Sequence, residues 1–232
     1  SGELKKKDGT TYSNRRFRAE FSEIFHGSKK YDASGSDRIQ IDIVDENDNI
    51  IDYRKFRTAW QNEKGKDRFR VIPIKFLDGG KKTEAKMQIP VSYLGLSRLF
   101  PIGEANEEKI VKNKINFMDD KQKNWFIEQY KQILSLYDTV TDISNYSIGE
   151  TDKKKGVGIE TDKYDYLTNS SGQDNLGQIL MAILSFKRLK LQREDWTGGL
   201  LLIDEIDATL HPAAQKRLID LLIKEAKINN IQ

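Results

Sequence analysis

At 232 residues, with 37% apolar and 32% charged side chains, the chain is long enough to bury a core and too apolar to be globally disordered. Lys and Arg number 39 against 36 Asp and Glu, and a formal charge of +3 gives by itself no ground for nucleic-acid binding. The lack of cysteine excludes disulfides and thiolate metal sites, no apolar run approaches the ~20 residues of a membrane span, and no signal peptide opens the chain, so a cytoplasmic protein without membrane contact is expected.

Residues 1–16 are polar and lysine-rich, and Lys5, Lys6, Lys7, Arg15, Arg16 and Arg18 read as a solvated basic surface before they read as phosphate contacts. Phe17, Phe21, Ile24 and Phe25 fall at helical spacing and predict a packed turn. From Arg38 to Val44 the chain alternates, with Ile39, Ile41 and Ile43 on one side, and Asp45 to Asn49 turns it into a second strand from Ile50 to about Phe56. Trp60 follows and reads as packing. Phe69 to Phe76 is a third strand that Pro73 pushes to an edge or a bulge. After Asp78-Gly79-Gly80 a fourth is predicted, with Thr83, Ala85, Met87, Ile89 and Val91 alternating. Such half-buried alternation with short turns predicts an antiparallel sheet, solvated on one face.

The segment Val91 to Pro101 is mostly apolar and carries Arg98, which could meet a phosphate, a carboxylate or a structural ion-pair partner. A helix is predicted from about Glu104 to Ile115, and a longer one behind the N-caps Asp119 and Asp120, with Phe126, Tyr130, Ile133, Leu134 and Tyr137 on one face. Short strands are predicted between Ile143 and Tyr166, around Thr151 to Gly158. Gly156-Val157-Gly158 lacks a third glycine and a following helix, so it reads as a turn and not as a dinucleotide site. The expected organisation is an antiparallel β-rich lobe over residues 1–103, a helical block over 104–140 and an α/β portion over 141–232.

Two stretches carry chemistry. Leu167 to Asn175 is rich in hydroxyls and glycine and leads into a helix on which Leu176, Ile179, Leu180, Ile183 and Leu184 hold a 3.6-residue period. Free amides and the positive dipole end at such a start favour an anion; Gly172 allows close approach and Ser170 or Ser171 adds a hydroxyl, although taken alone these residues read first as an ordinary serine N-cap. Leu200-Leu201-Leu202-Ile203 then reads as a strand buried on both faces, ending in Asp204 and Glu205. Buried carboxylates call for a metal or a hydrogen-bond network. A magnesium–nucleotide hydrolase needs this order of parts, with Asp204 on Mg²⁺ and Glu205 as the base for water.

On these residues a resemblance becomes specific. Asn169-Ser170-Ser171-Gly172-Gln173 resembles the signature motif of ABC-type ATPases, with Asn169 and Ser171 in place of its leucine and first glycine. Leu200 to Glu205 resembles their Walker B strand, Ile206 to Leu210 their D-loop, and Leu210-His211-Pro212 the ending found in the SMC-like and overcoming-lysogenization-defect (OLD) branch. Phe21 to Phe25 and Tyr93 to Arg98 resemble ATPase subunits of anti-phage systems of the Septu and retron type. The resemblance implies part of a P-loop NTPase head, using ATP and Mg²⁺. It further implies a homodimer in which Ser170, Ser171, Gly172 and Gln173 close on the partner's nucleotide, with Asp207 at the interface. A nuclease effector is the implied partner, with DNA possible. No G-x-x-x-x-G-K-[ST] occurs in the 232 residues, so the phosphate loop is expected upstream of Ser1. The competing reading is a non-catalytic protein- or DNA-binding module of the same fold.

Overall fold

Alternating β-branched residues and tight left-handed turns build the first of two units. The computed structural model describes residues 2–45, 47–113, 118–149 and 155–232. The chain divides into a unit of Ser1–Leu4 with Arg18–Ile89 and a unit of Lys5–Phe17 with Pro90–Gln232.

In the first unit a single helical turn, α1 (Phe21–Ile24), precedes a four-stranded antiparallel sheet in the order β1 (Gly35–Val44), β2 (Ile50–Glu63), β3 (Lys66–Phe76) and β4 (Lys82–Thr83). Asp45 shapes the first turn by accepting from the amides of Asn47 at 2.8 Å and Asn49 at 2.9 Å. Lys64 and Gly65, both at positive φ, make the two-residue hairpin loop between β2 and β3. Trp60 lies within β2, not after it; its ring packs on Phe69 with centroids 5.3 Å apart, and its Nε1 donates to the Asp32 carbonyl. Pro73 sits opposite Phe56, and on the other edge β4 pairs only with Lys75 and Phe76, which leaves the proline's side of β3 unladdered there.

Two expectations for this unit are corrected. The isoleucines of β1 are not a buried face: Ile39 is 60% and Ile41 45% exposed. The alternation from Thr83 to Val91 is not one strand. Arg54, itself buried, draws the Ala85 carbonyl to its Nε at 3.0 Å, and only Lys82 and Thr83 stay in the ladder.

In the second unit β5 (Val91–Leu94) runs parallel to β9 (Leu200–Ile203), while β6 (Ile110–Asn113), β7 (Val140–Ile148) and β8 (Lys155–Thr161) form an antiparallel sheet. The expected helix from Glu104 to Ile115 is replaced by two single 3-10 turns, Ile102–Glu104 and Glu107–Lys109, and by β6, whose β-branched Ile110 and Val111 ladder against β7. The end of that helix falls on residues 114–117, and part of the stretch expected around Thr151 falls on residues 151–154; both lie outside the described residues.

Helix α2 (Asp120–Leu134) starts as read, with Asp119 and Gln122 in a reciprocal capping box that satisfies two otherwise orphaned amides. It stops earlier than its apolar pattern: Ser135 takes a left-handed φ of 54°, and Tyr137 is exposed beyond it. Helix α3 (Ser171–Gln192) is the axis of the core, with Leu176, Ile179, Leu180, Ile183, Leu184, Phe186 and Leu189 all buried. Strand β8 lies against it so closely that a Cβ on Gly177 would overlap the Val157 carbonyl. Gly156 and Gly158 are therefore mid-strand residues, not the turn expected of them; at Gly156 the Tyr146 ring occupies the space a side chain would need. Helix α4 (Pro212–Asn229) buries Leu218 and Leu221 in the same core. No helix among the described residues is long and apolar enough to cross a membrane.

Candidate functional site: the exits of β5 and β9 and the start of α3

Strand β9 has β5 on one edge and a parallel bridge from Gly199 to Ile231 on the other. Leu201 and Ile203 pack on the core, but Leu202 on the opposite face is 41% exposed, so the strand is buried on one face and not on both. The Asp204 amide continues the ladder by donating to the Leu94 carbonyl at 3.0 Å. Asp204 is half-buried and Glu205 is exposed. What satisfies Asp204 is a hydrogen bond: the Tyr93 hydroxyl donates to its Oδ2 at 3.1 Å. Burial pushes the Tyr93 phenol up, and Asp204 adds to that shift, so this hydroxyl keeps its proton and stays a donor. The ring can fold back because the next residue but one is Gly95, where a Cβ would come within 2.7 Å of the ring edge.

Beyond β9 the chain turns over Glu205 to Leu210 and enters α4. Glu205 and Thr209 have φ of 44° and 67°, a left-handed conformation that costs a side-chain-bearing residue roughly 1–2 kcal/mol. The turn is held from both sides. Gln215, one turn into α4, donates through Nε2 to the carbonyls of Asp207 and Leu210, each at 2.8 Å. His211 is the N-cap of α4, its Nδ1 accepting from the Ala213 amide at 3.3 Å, and Pro212 takes the first helical position as read.

At the start of α3, Ser170 and Gln173 form a second capping box: the Ser170 amide donates to Gln173 Oε1 at 2.7 Å, and the Gln173 amide to Ser170 Oγ at 3.2 Å. The plain N-cap reading is thus met, and it leaves the hydroxyl hydrogen of Ser170 available as a donor. Asn169, which stands at the leucine of the signature pattern, is buried and ties the loop to β8 by donating to the Ile159 carbonyl at 2.9 Å and accepting from the Ile159 amide at 3.2 Å. Above Gly172 lies the Thr209 carbonyl, in the place a Cβ would occupy, so the glycine's first structural use is to admit the turn that follows β9.

Asn175 joins the two motifs. Its Nδ2 donates to the Ala208 carbonyl at 3.1 Å and to Thr209 Oγ1 at 3.3 Å, while its Oδ1 accepts from Arg98 Nε at 2.8 Å. A cleft of about 240 Å³ opens beside this junction, lined by Ser170, Gly172, Gln173, Thr209, Leu210 and His211 among others. A family model described as "AAA domain, putative AbiEii toxin, Type IV TA system" matches residues 14–232. The chain belongs to this family. It is a P-loop ATPase-like domain of mixed α/β architecture, with antiparallel and parallel sheets. No curated protein and no solved structure matches it.

In this AAA domain the residues read from the sequence form two groups. Ser170, Gly172 and Gln173 line the cleft, with Ser171 at the first helical position; Asp204, Glu205 and Asp207 follow one another along the turn that Gly172 and Asn175 touch. The sequence assigns no role to Gln215 and none to Tyr93 and Asn175 beyond their place in the two stretches, and Arg98, for which it offers a phosphate, a carboxylate or an ion-pair partner, donates here to the Asn175 side chain and to backbone carbonyls. The usable signals were a tyrosine and an arginine inside an apolar stretch and an asparagine one turn into an otherwise apolar helix. Among the described residues no three His, Asp or Glu side chains gather as a metal cage. A single hard carboxylate such as Asp204 still suits Mg²⁺, which keeps most of its waters and takes one or two protein oxygens.

Proposed function

We propose that this AAA domain is part of an ABC- and SMC-like ATPase head, which binds and hydrolyses ATP where two heads meet. The observation that supports the reading is the packing of the α3 start against the Asp204–Thr209 turn, through Gly172 under Thr209 and through Asn175. A γ-phosphate-sensing end and a pair of carboxylates mounted on one body are what such a head needs.

Asp204 would hold Mg²⁺ through its water shell while Tyr93 orients the carboxylate; the ion, when bound, offsets the charge of the phosphates. Glu205 accepts a proton from the attacking water. The water oxygen bonds to the γ-phosphorus as the β–γ bridging oxygen departs with ADP, and phosphate is the second product. Ser170, through its hydroxyl hydrogen, and the amides of Ser171 and Gly172 contact the γ-phosphate of nucleotide held by a second copy, while Gln173 braces the cap and Asp207 lies at the shared interface. The phosphate loop that holds this chain's own nucleotide is not among its 232 residues. The output we assign is control of a partner effector such as a nuclease, in anti-phage defence in the cytoplasm, with DNA as a possible ligand.

The test is Glu205→Gln in the full-length protein. ATP turnover should be abolished while ATP-dependent dimerisation persists, measured by phosphate release and by light scattering. Near-normal turnover in that variant would remove Glu205 as the base.

A further inference from the structure

We infer that Arg98 is a positioning residue for Glu205, and that Asn175 relays its hold to the start of α3. The inference rests on the ATPase reading above. Arg98 follows β5 on a single 3-10 turn and is 2% exposed, a costly place for a charge unless its donors are fully used. They are used on backbone. Nη1 donates to the carbonyls of Leu94 at 2.9 Å and Gly95 at 3.1 Å, and Nη2 donates to the carbonyls of Asp204 and of Glu205, the latter at 3.0 Å.

The last pair decides the role. The Asp204 carbonyl belongs to the peptide before the Glu205 α-carbon and the Glu205 carbonyl to the peptide after it. One nitrogen therefore holds both planes that define the φ and ψ of Glu205, and it holds them in the left-handed region, at φ 44°. This over-determination keeps a side-chain-bearing residue in a strained conformation, as strained sites require. The third arm of the same guanidinium, Nε, reaches Asn175, whose amide group in turn holds Ala208 and Thr209. Gln178, one turn further along α3 on the same side, donates to the Arg98 carbonyl at 3.1 Å. A displacement of the α3 start by a bound phosphate thus reaches Glu205 through two hydrogen-bonded side chains. A lysine cannot reproduce this, since it offers one nitrogen where three separate donors are engaged.

The experiment compares Arg98→Lys, Asn175→Ala, their double variant and Glu205→Gln in the full-length protein, reading kcat, KM for ATP, melting temperature and amide hydrogen exchange over residues 204–209. We expect Arg98→Lys to lose about 100-fold in kcat, the order of loss that misplacement of a catalytic group by about 1 Å causes, with KM within about 3-fold of wild type. The amides of 204–209 should exchange faster and those of mid-α3 should not. Asn175→Ala should lower kcat by a smaller factor, and the double variant should be no slower than Arg98→Lys, because the two act in series. Unchanged kcat in Arg98→Lys, or multiplicative effects in the double variant, would overturn the inference. If Arg98→Lys does not fold, Asn175→Ala decides, through kcat together with exchange at Ala208 and Thr209. Turnover retained by Glu205→Gln would remove Glu205 as the base and the positioning role with it, whereas absence of ATP turnover in the wild-type protein would strike the ATPase reading itself, whatever the other variants do.

Discussion

The carbonyl oxygen of Thr209 occupies the space in which a side chain on Gly172 would begin. The start of the helix that carries the signature-like residues and the turn that carries Glu205 are therefore in backbone contact, without a side chain between them. Gly172→Ala should force one of them to shift. We expect a loss of about 1–3 kcal/mol, the usual range for overpacking, read as a lower urea midpoint at unchanged slope. An unaltered midpoint would mean that the two backbones are not in contact in solution.

The left-handed φ of Glu205 separates its structural cost from its chemistry. Glu205→Gly and Glu205→Ala remove the same carboxylate, but only glycine adopts that conformation freely. The glycine variant should be the more stable of the two by about 1 kcal/mol in denaturant melts, against the ordinary order in which glycine is the less stable. Both should be inactive if Glu205 is the base.

Local signals carried most of what the sequence disclosed. The Asp119 and Ser170 starts and the period of Leu176 to Leu184 are written within a few residues, and α2 and α3 begin where these place them. Pairings between distant segments left no such trace. Nothing near Val91 announces that it ladders beside Leu200, and hence that Tyr93 and Arg98 come to the ends of β9. The alternation of Ile39 and Ile41 marks a two-faced strand but not which face is covered. Gly156 and Gly158 misled as turn residues because their purpose, room for Tyr146 and for Asn169, is set by other elements. Asp204 and Glu205 stand out in the sequence as adjacent carboxylates after an apolar run, but the groups around them do not: Tyr93 reaches the Asp204 side chain, and Asn175 and Gln215 the carbonyls of the following turn, only because the fold brings them near.

Tyr93 offers a test of the carboxylate that precedes Glu205. Its hydroxyl is the donor on Asp204 Oδ2, so Tyr93→Phe leaves the ring and removes only that bond. If Asp204 holds Mg²⁺, losing the group that orients it should raise the Mg²⁺ concentration for half-maximal ATP turnover by about 10-fold, with little change in turnover at saturating Mg²⁺. An unshifted Mg²⁺ titration would show that the tyrosine does not serve the metal.

Acid should weaken the first unit through Glu20 and Asp52. Burial alone would raise the Glu20 carboxyl, but Lys86, with Arg18 and Arg70, outweighs it and holds the group below the ordinary value of 4.5. Asp52 is likewise raised by burial and then lowered further by Lys75 and Arg54, below 3.8. Because both folded values are depressed, their stabilisation is complete above the unfolded values and is lost as pH falls through the folded ones. Stability should hold from pH 7 to about 5 and decline below about 4.5. Lys86 works in the opposite sense: Glu3 and Glu20 raise it against burial, so its share is lost only when pH climbs above 10.5. In Lys86→Met the desolvation of Glu20 is no longer outweighed by its nearest cation, so the acid slope between pH 5 and 3 should flatten while stability at pH 7 falls. Urea melts followed by amide exchange in β2 and β3 would check both, and an unchanged slope in the variant would detach Glu20 from the acid response.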